Sequence, residues 1–395
     1  MPKRKNEAIE ISSNTFGKLV RAYREQRQWT QEELAEKWGH TREYVSQVER
    51  GKRKLDRADQ VTRLAEILEI PYERLEAIGK GIPQQKLIAR NLEEADDVLL
   101  QTLLEPAQTT VKLSWLVWYA NSDTSITNNL TRLTTKLEDA ITNSRGTLLK
   151  PAQQLLAYSY EMMGKIAFDQ LDYPNASGYF QQMHELGEEL NNPDIIALSM
   201  IRQGDLLRRR GRYELAIRCL EAAKPFADTG SSATNGLRWQ TLARTYAEFK
   251  QRSLFLNAIE KAQEAAEHIQ PELDTTNNQF TLIGVLQEKG QGHTLLGEPQ
   301  RALDMYRESE RIQPFRPIRD LGVLTILKAQ AHAYNGNIDK GVNLALRGLT
   351  LAQEYHSKRH ISRIQRMYDR LLVTPLGRHP RLEELQDALR RQQTK

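Results

Sequence analysis

The chain has 395 residues, a net charge of +5, 27% charged and 39% hydrophobic residues, and one cysteine, Cys219. That length suits two or three domains, and the scarcity of β-branched alternation favours an all-α chain. No apolar run approaches the length that crosses a bilayer, and the basic N-terminus lacks the apolar core of a signal peptide. With no internal disulfide possible, these features together predict a cytoplasmic protein.

Residues 1–13 read as a basic lead. Ser13 or Asn14 can cap a first helix whose apolar stripe is Phe16, Leu19, Val20 and Tyr23. Thr30 and Glu33 form a capping box at the start of a second helix, and Gly39 offers the left-handed position that ends it. Thr41 caps a third helix running to about Arg50, with Val45 and Val48 facing inward and Glu43, Ser46, Gln47 and Arg50 facing outward. Trp29 and Trp38 read as packing residues. Lys52, Arg53, Lys54 and Arg57 make a basic loop suited to a phosphate backbone. A fourth helix carries Val61, Leu64, Ala65 and Leu68, and Pro71 opens a fifth that ends near Gly79. Residues 1–90 hold 19 Lys and Arg against 14 Asp and Glu, while the rest of the chain balances at 37 of each. The whole charge excess therefore sits on this module, the electrostatic footprint that DNA binding requires.

Between about Phe16 and Gly79 the residues Gln31, Leu34, Ala35, Gly39, Val45, Glu49 and Gly51 together resemble the helix-turn-helix of the lambda-repressor-like (Xre) regulators. The resemblance implies double-stranded DNA as partner. It pairs Arg24 with Glu49 as a structural lock, and it places Gln31 and Thr41 as phosphate donors. It aims Arg42, Glu43, Tyr44 and Gln47 at base edges, with Lys52 and Lys54 as positioning contacts. Arg42 suits guanine and Gln47 adenine.

The stretch from Gly79 to Asn91 is the best boundary, giving a DNA-binding domain at 1–80, a linker at 81–91 and a second domain at 92–395. Its GKG is no phosphate loop, because no strand precedes it. Helices are expected from Leu92 to Leu104 and from about Thr110 to Ala120, interrupted by Pro106. From about Ala157 the chain repeats. Gly290, Gly297, Ala302, Tyr306 and Pro314 in one copy, and Gly204, Gly211, Tyr213, Ala216 and Ala223 in another, resemble tetratricopeptide (TPR) units. The small residue of the second helix recurs at Ala176, Ala216, Ala258, Ala302 and Gly341, at spacings of 40, 42, 44 and 39. These exceed the usual 34 and imply longer helices or turns. The third copy lacks the glycine expected in its first helix. The tail from about Ile361 to Arg391 reads as a cap.

The expected architecture is all-α, a five-helix helix-turn-helix domain followed by a TPR-like superhelix of hairpins. First helices of such hairpins line a concave groove, and Lys165, Asp205, Arg208, Arg209, Gln287 and Gln291 fall on that face, with Arg202 and Arg244 nearby, as candidates to clamp a peptide. His356 and His360 lie four apart in HSKRH, with no carboxylate on the same face, and read as surface. No metal or cofactor is expected, and enzyme motifs such as HExxH, CxxC and GxSxG are absent.

The combined architecture resembles the peptide-responsive quorum-sensing regulators of Gram-positive bacteria (the PlcR/PrgX/NprR, or RRNPP-type, group). That resemblance implies a homodimeric transcription regulator on a palindromic operator, with a short signalling peptide in the TPR groove. A DNA-tethered adaptor that recruits a protein partner and an accessory protein that binds a response regulator are the alternatives.

Overall fold

A computed structural model describes residues 16–53, 55, 58–71, 74–75, 84–120, 125–144, 146–269 and 280–393. Every regular element among them is helical. The chain divides into two compact units, Met1–Ala95 and Asp96–Lys395.

In the first unit, α1 (Phe16–Gln26), α2 (Gln31–Trp38), α3 (Arg42–Glu49) and α4 (Ala58–Ile67) surround one core. Leu19, Val20, Leu34, Trp38, Val45, Val48 and Leu64 are all buried in it, so Trp38 is a packing residue as its position implied. The close approach of α1 to α3 depends on Gly17, where a Cβ would lie 2.2 Å from the Val48 carbonyl oxygen and 2.8 Å from that of Glu49. Most of the fifth helix expected after Pro71 lies outside the described residues, as do the N-terminal lead, Lys54 and Arg57.

Next comes α5 (Gln84–Ala120), a single helix that begins inside the stretch read as a linker and continues through Pro106. Two helices were expected here. No glycine or proline interrupts the sequence between Gln84 and Pro106, so nothing delays helix formation. A proline inside a helix costs about 3 kcal/mol. Leu100, Ala107, Val111, Trp115 and Trp118 nevertheless keep one buried stripe on both sides of it, and that burial offsets the cost.

After α6 (Ser125–Asn143), five helical hairpins follow. They are α7 (Leu149–Asp169) with α8 (Tyr173–Leu190), α9 (Pro193–Arg209) with α10 (Tyr213–Ala222), and, after the short α11 (Lys224–Thr229), α12 (Ser232–Glu248) with α13 (Arg252–Glu267). Then come α14 (Leu282–Leu295) with α15 (Pro299–Ile312) and α16 (Ile318–Tyr334) with α17 (Ile338–Glu354). The unit ends with α18 (Lys358–Leu372), a 3₁₀ turn at Pro375–Arg378 and α19 (Arg381–Gln393). The long repeat period is accounted for by helices of up to 21 residues and by the inserted α11.

Within a hairpin the helices approach at a fixed offset of sixteen residues. A Cβ on Gly164, Gly204 or Gly290 would meet Phe180, Leu220 or Tyr306 at 2.3, 2.8 and 2.4 Å. In the third hairpin, where the sequence shows no such glycine, Ala243 and Ile259 stand at the same offset and are fully buried in one cluster. The alanine takes the glycine's place.

The second unit closes on itself. At the end of α7 the Asp169 carboxylate accepts from Arg319 Nη1 at 2.8 Å, Ser357 Oγ at 2.8 Å and Arg359 Nε at 3.0 Å. These partners lie 150 to 190 residues further along the chain. Arg319 Nε also donates to the Trp118 carbonyl at 2.8 Å, and Gln170 Nε2 to the His356 carbonyl at 2.6 Å. The superhelix thus completes a turn, and its last helices clasp its first hairpin. No helix among the described residues is long and apolar enough to cross a membrane.

Candidate DNA-reading helix and superhelix interior

The third helix owes its position to a buried ionic lock. Arg24 donates from Nε to Glu49 Oε1 at 2.6 Å, from Nη2 to Oε2 at 3.1 Å, and from Nη1 to the Trp29 carbonyl at 2.7 Å. This two-pronged geometry orients as well as attracts, because a guanidinium fork fixes the carboxylate plane. Glu33 completes its box by accepting from the Thr30 amide at 2.6 Å while Thr30 Oγ1 accepts from the Glu33 amide at 3.1 Å. Gly39 closes α2 at φ +74°, and Thr41 Oγ1 accepts from the Tyr44 amide at 3.3 Å to open α3.

Lock and caps together present the first turn of α3 outward. Arg42 and Glu43 are exposed and Gln47 is half-exposed, with Gln47 Nε2 donating to Glu43 Oε1 at 3.4 Å. Glu43 therefore braces Gln47. Gln31 Nε2 donates to Glu49 Oε2 at 2.7 Å, so its side chain extends the lock and its second amide hydrogen alone remains for a phosphate. Tyr44 is half-buried. Its ring stacks on His40 with centroids 4.2 Å apart, meets Trp38 edge-on at 5.3 Å, and carries the Arg53 guanidinium 4.4 Å from its centroid. Ser46 was expected on the outward face and is instead buried at 3% exposure. Its position on the helical wheel is a boundary one, and Arg50 folds back over it to donate to Ser46 Oγ at 2.5 Å. Lys52 is exposed just beyond Gly51, and Lys54 lies outside the described residues.

The superhelix holds a partly open cavity of about 170 Å³. Of the eight groove candidates all but Gln291 line it, and Gln291 is buried nearby on α14. The inner helices α7, α9, α12, α14 and α16 and the first turns of α18 supply the wall, together with Trp118 and Tyr119 of α5. Most of the arginines there are committed to carboxylates of the fold. Arg202 Nη2 donates to Glu161 at 2.7 Å. Arg208 is bonded to Asp205 at 2.7 Å and to Glu248. Arg244 then spans Asp205 at 3.2 Å and both oxygens of Glu288 at 2.6 and 2.9 Å. This ladder ties three successive inner helices. The neighbouring arginines overcome burial to hold Asp205 and Glu288 below the usual carboxylate range, while Asp205 and Glu248 push Arg208 upward.

Sequence reasoning missed the contribution of the C-terminal cap. Arg359, His360 and Arg363 line the cavity, although HSKRH was read as surface. His360 is 2% exposed, with Nδ1 3.0 Å from the Tyr355 hydroxyl. Burial and the adjacent Arg359 hold its imidazole well below the usual histidine range, so it is neutral near pH 7. The signal was present. Arg359, Arg363, Arg366 and Arg370 recur at spacings of four, three and four, a stripe on one helix face. Among the described residues no cluster of three or more His, Cys, Asp or Glu side chains stands ready to hold a metal.

Comparison with known proteins agrees with the first unit. Residues 15–78 match the helix-turn-helix domain family. The HTH-type transcriptional repressor RghR of Bacillus subtilis (strain 168) is 41% identical over 61 residues, which are 15% of this chain and 45% of that repressor. The chain thus spans less than half the length of the curated relative it matches. Residues 15–78 carry a helix-turn-helix domain of the kind found in transcription regulators.

Proposed function

We propose that this protein is a sequence-specific, homodimeric transcription regulator that reads a palindromic operator with Arg42, Glu43 and Gln47. A short signalling peptide in the TPR-like superhelix controls its DNA affinity. The observation that carries the DNA-reading part is the Arg24–Glu49 lock, which holds a capped helix with an exposed polar first turn on a module that also holds the chain's excess positive charge. Such a helix suits the major groove, where its N-terminal residues meet base edges. Gln31, Thr41, Lys52 and Lys54 then contact phosphates, and Tyr44 buttresses the helix against its turn. Ligand control draws its support from a polar cavity whose wall is built from all five hairpins. In this reading a ligand shifts the dimer between geometries to the extent that it favours one of them.

Selection of bound DNA from a random pool with the full chain tests the DNA-reading part. A spaced palindrome whose half-sites lose enrichment in Arg42→Ala and Gln47→Ala is the expected result, each substitution relaxing specificity by about 1–3 kcal/mol at one base position. Absence of any enriched sequence at moderate salt would refute it.

A further inference from the structure

The cavity of the superhelix carries more positive charge than its own carboxylates use. Eight basic side chains line it. Five are bonded to carboxylates: Arg202, Arg208 and Arg244 in the way described, and Arg319 and Arg359 through Asp169. For Lys165, Arg209 and Arg363 no such partner exists among the described residues. The Lys165 ammonium sits 5.4 Å from the Trp118 ring centroid. Arg209 donates from Nη2 to the Arg359 carbonyl at 3.3 Å, while its buried Nε has no acceptor. Of the nearby carboxylates, Glu288 binds Arg244 with both oxygens, and Asp320, whose carboxyl is pushed up by burial, forms no ion pair with any of the three among the described residues.

Burying a cation without a counter-charge is costly, and proteins ordinarily avoid it. The cost here is visible in all three groups. Burial and the surrounding arginines pull Lys165 well below its usual range, Arg209 to about 9 and Arg363 to about 10, although Asp205 and Glu161 act against this at Lys165 and Glu288 at Arg363. Strongly perturbed groups gathered around one cavity mark a site that awaits a partner. The wall also holds a buried acceptor without a donor, Gln240 Oε1, which a ligand N–H or O–H would satisfy. A peptide with acidic groups supplies carboxylates and amide N–H donors together. The volume admits roughly six waters, enough for a few carboxylate groups and no folded domain.

We infer that the superhelix interior is a binding site for an acidic peptide, whose carboxylates are received by Lys165, Arg209 and Arg363. This inference rests on the reading of the superhelix as a peptide receptor and names the charge of its ligand. It separates two sets of arginines that the sequence does not distinguish. The Asp205–Arg208–Arg244–Glu288 ladder is a rigid floor, and the three unpaired cations are the contacts.

The test uses the full chain and three probes: a hexapeptide of alternating aspartate and glutamate with a free C-terminus, its amidated asparagine/glutamine counterpart, and inorganic phosphate. Binding is read by titration calorimetry and by thermal unfolding of wild type, Lys165→Gln, Arg209→Gln and Arg363→Gln. The acidic peptide is expected to bind and raise the unfolding temperature, with at least tenfold weaker binding in each variant and none by the neutral peptide. Each unliganded variant is expected to unfold at the wild-type temperature or above it, because a strained cation has been removed. Equal binding of acidic and neutral peptides, or unchanged acidic-peptide affinity in the variants, would overturn the proposal. So would phosphate binding that the variants abolish while the acidic peptide fails to bind. Titration of the selected DNA with and without the acidic peptide separates the two readings: binding that leaves DNA affinity unchanged removes ligand control and keeps the acidic site.

Discussion

Replacing Asp169 with asparagine removes one negative charge from the point where the last helices meet the first hairpin. The Asp169 and Arg319 side chains are 3% and 4% exposed, so the pair is buried and little solvent is at hand to replace the lost partner. Stranding one member of a buried pair costs about 3–5 kcal/mol. Arg319 keeps the Trp118 and Tyr355 carbonyls at 2.8 and 3.2 Å and lies 4.1 Å from the Trp118 ring centroid, which places the loss near the lower end. Arg359, with a quarter of its side chain exposed, adds less than about 1 kcal/mol. The expected total is about 3 kcal/mol. Urea unfolding followed by tryptophan fluorescence reads it, and with a slope of about 3 kcal/mol/M the midpoint falls by about 1 M. Asp169→Asn combined with Arg319→Met leaves only the quarter-exposed Arg359 without its carboxylate, so the double variant should be less destabilised than the sum of the singles by more than about 1 kcal/mol. A single variant within about 0.5 kcal/mol of wild type, or strict additivity, would refute the assignment of Asp169 as the clasp.

Gly17→Ala forces a methyl against the Val48 and Glu49 carbonyls, so the helix-turn-helix unit should lose about 1–2 kcal/mol despite the better helix propensity of alanine; a more stable variant in thermal unfolding would show that α1 can move aside. Glu49→Gln breaks the lock with Arg24 and should cost about 2–3 kcal/mol, together with DNA affinity, although residue 49 is itself buried; full affinity in a shift assay would mean that Gln31 and the caps suffice. His360 is held neutral in the fold, whereas in the unfolded chain it titrates near pH 6.5. The unfolded state therefore gains a proton that the native state refuses, and stability should fall as pH drops through about 6.5, by up to about 1.4 kcal/mol per pH unit for this one group. His360→Gln should remove that share of the slope between pH 7.5 and 5.5, and an unchanged slope would show that the imidazole accepts its proton inside the fold.

What the sequence made legible was local. The Thr30–Glu33 box, the Gly39 cap and the inner faces of the hairpins follow from neighbours three and four residues apart, and the all-helical fold follows from their repetition. Seven groove residues share one cavity for that reason: helical periodicity fixes which face each side chain occupies. Ser46 was misplaced because a wheel cannot show that Arg50 folds over its edge. Pro106 was misread because propensity argues for a break, and only the packing of Trp115 and Trp118 overrides it. The clasp was invisible. Asp169, Arg319 and Arg359 meet only because the pitch of five stacked hairpins brings residues 150 and more apart into contact, and no local spacing encodes a pitch.

Arg319 and Arg359 line the cavity and also bind Asp169, so they belong at once to the interior and to the seam that closes it. Carboxylates brought into the cavity compete with Asp169 for these two cations, whereas a neutral ligand does not. An acidic ligand therefore has a differential interaction with the closed and opened seam, the property that a ligand must have to move a conformational equilibrium. The ladder of Asp205, Arg208, Arg244 and Glu288 lacks that property, because its charges are mutually satisfied in any state that keeps the three inner helices together. If occupancy changes the second unit, the change should appear at the seam between α7 and α18 and leave the ladder intact. Hydrogen exchange with and without the acidic hexapeptide locates it: altered protection at the end of α7 and the start of α18, with α9 and α12 unchanged, is the expected pattern, and a change confined to α9 and α12 would refute the assignment of the seam as the moving part.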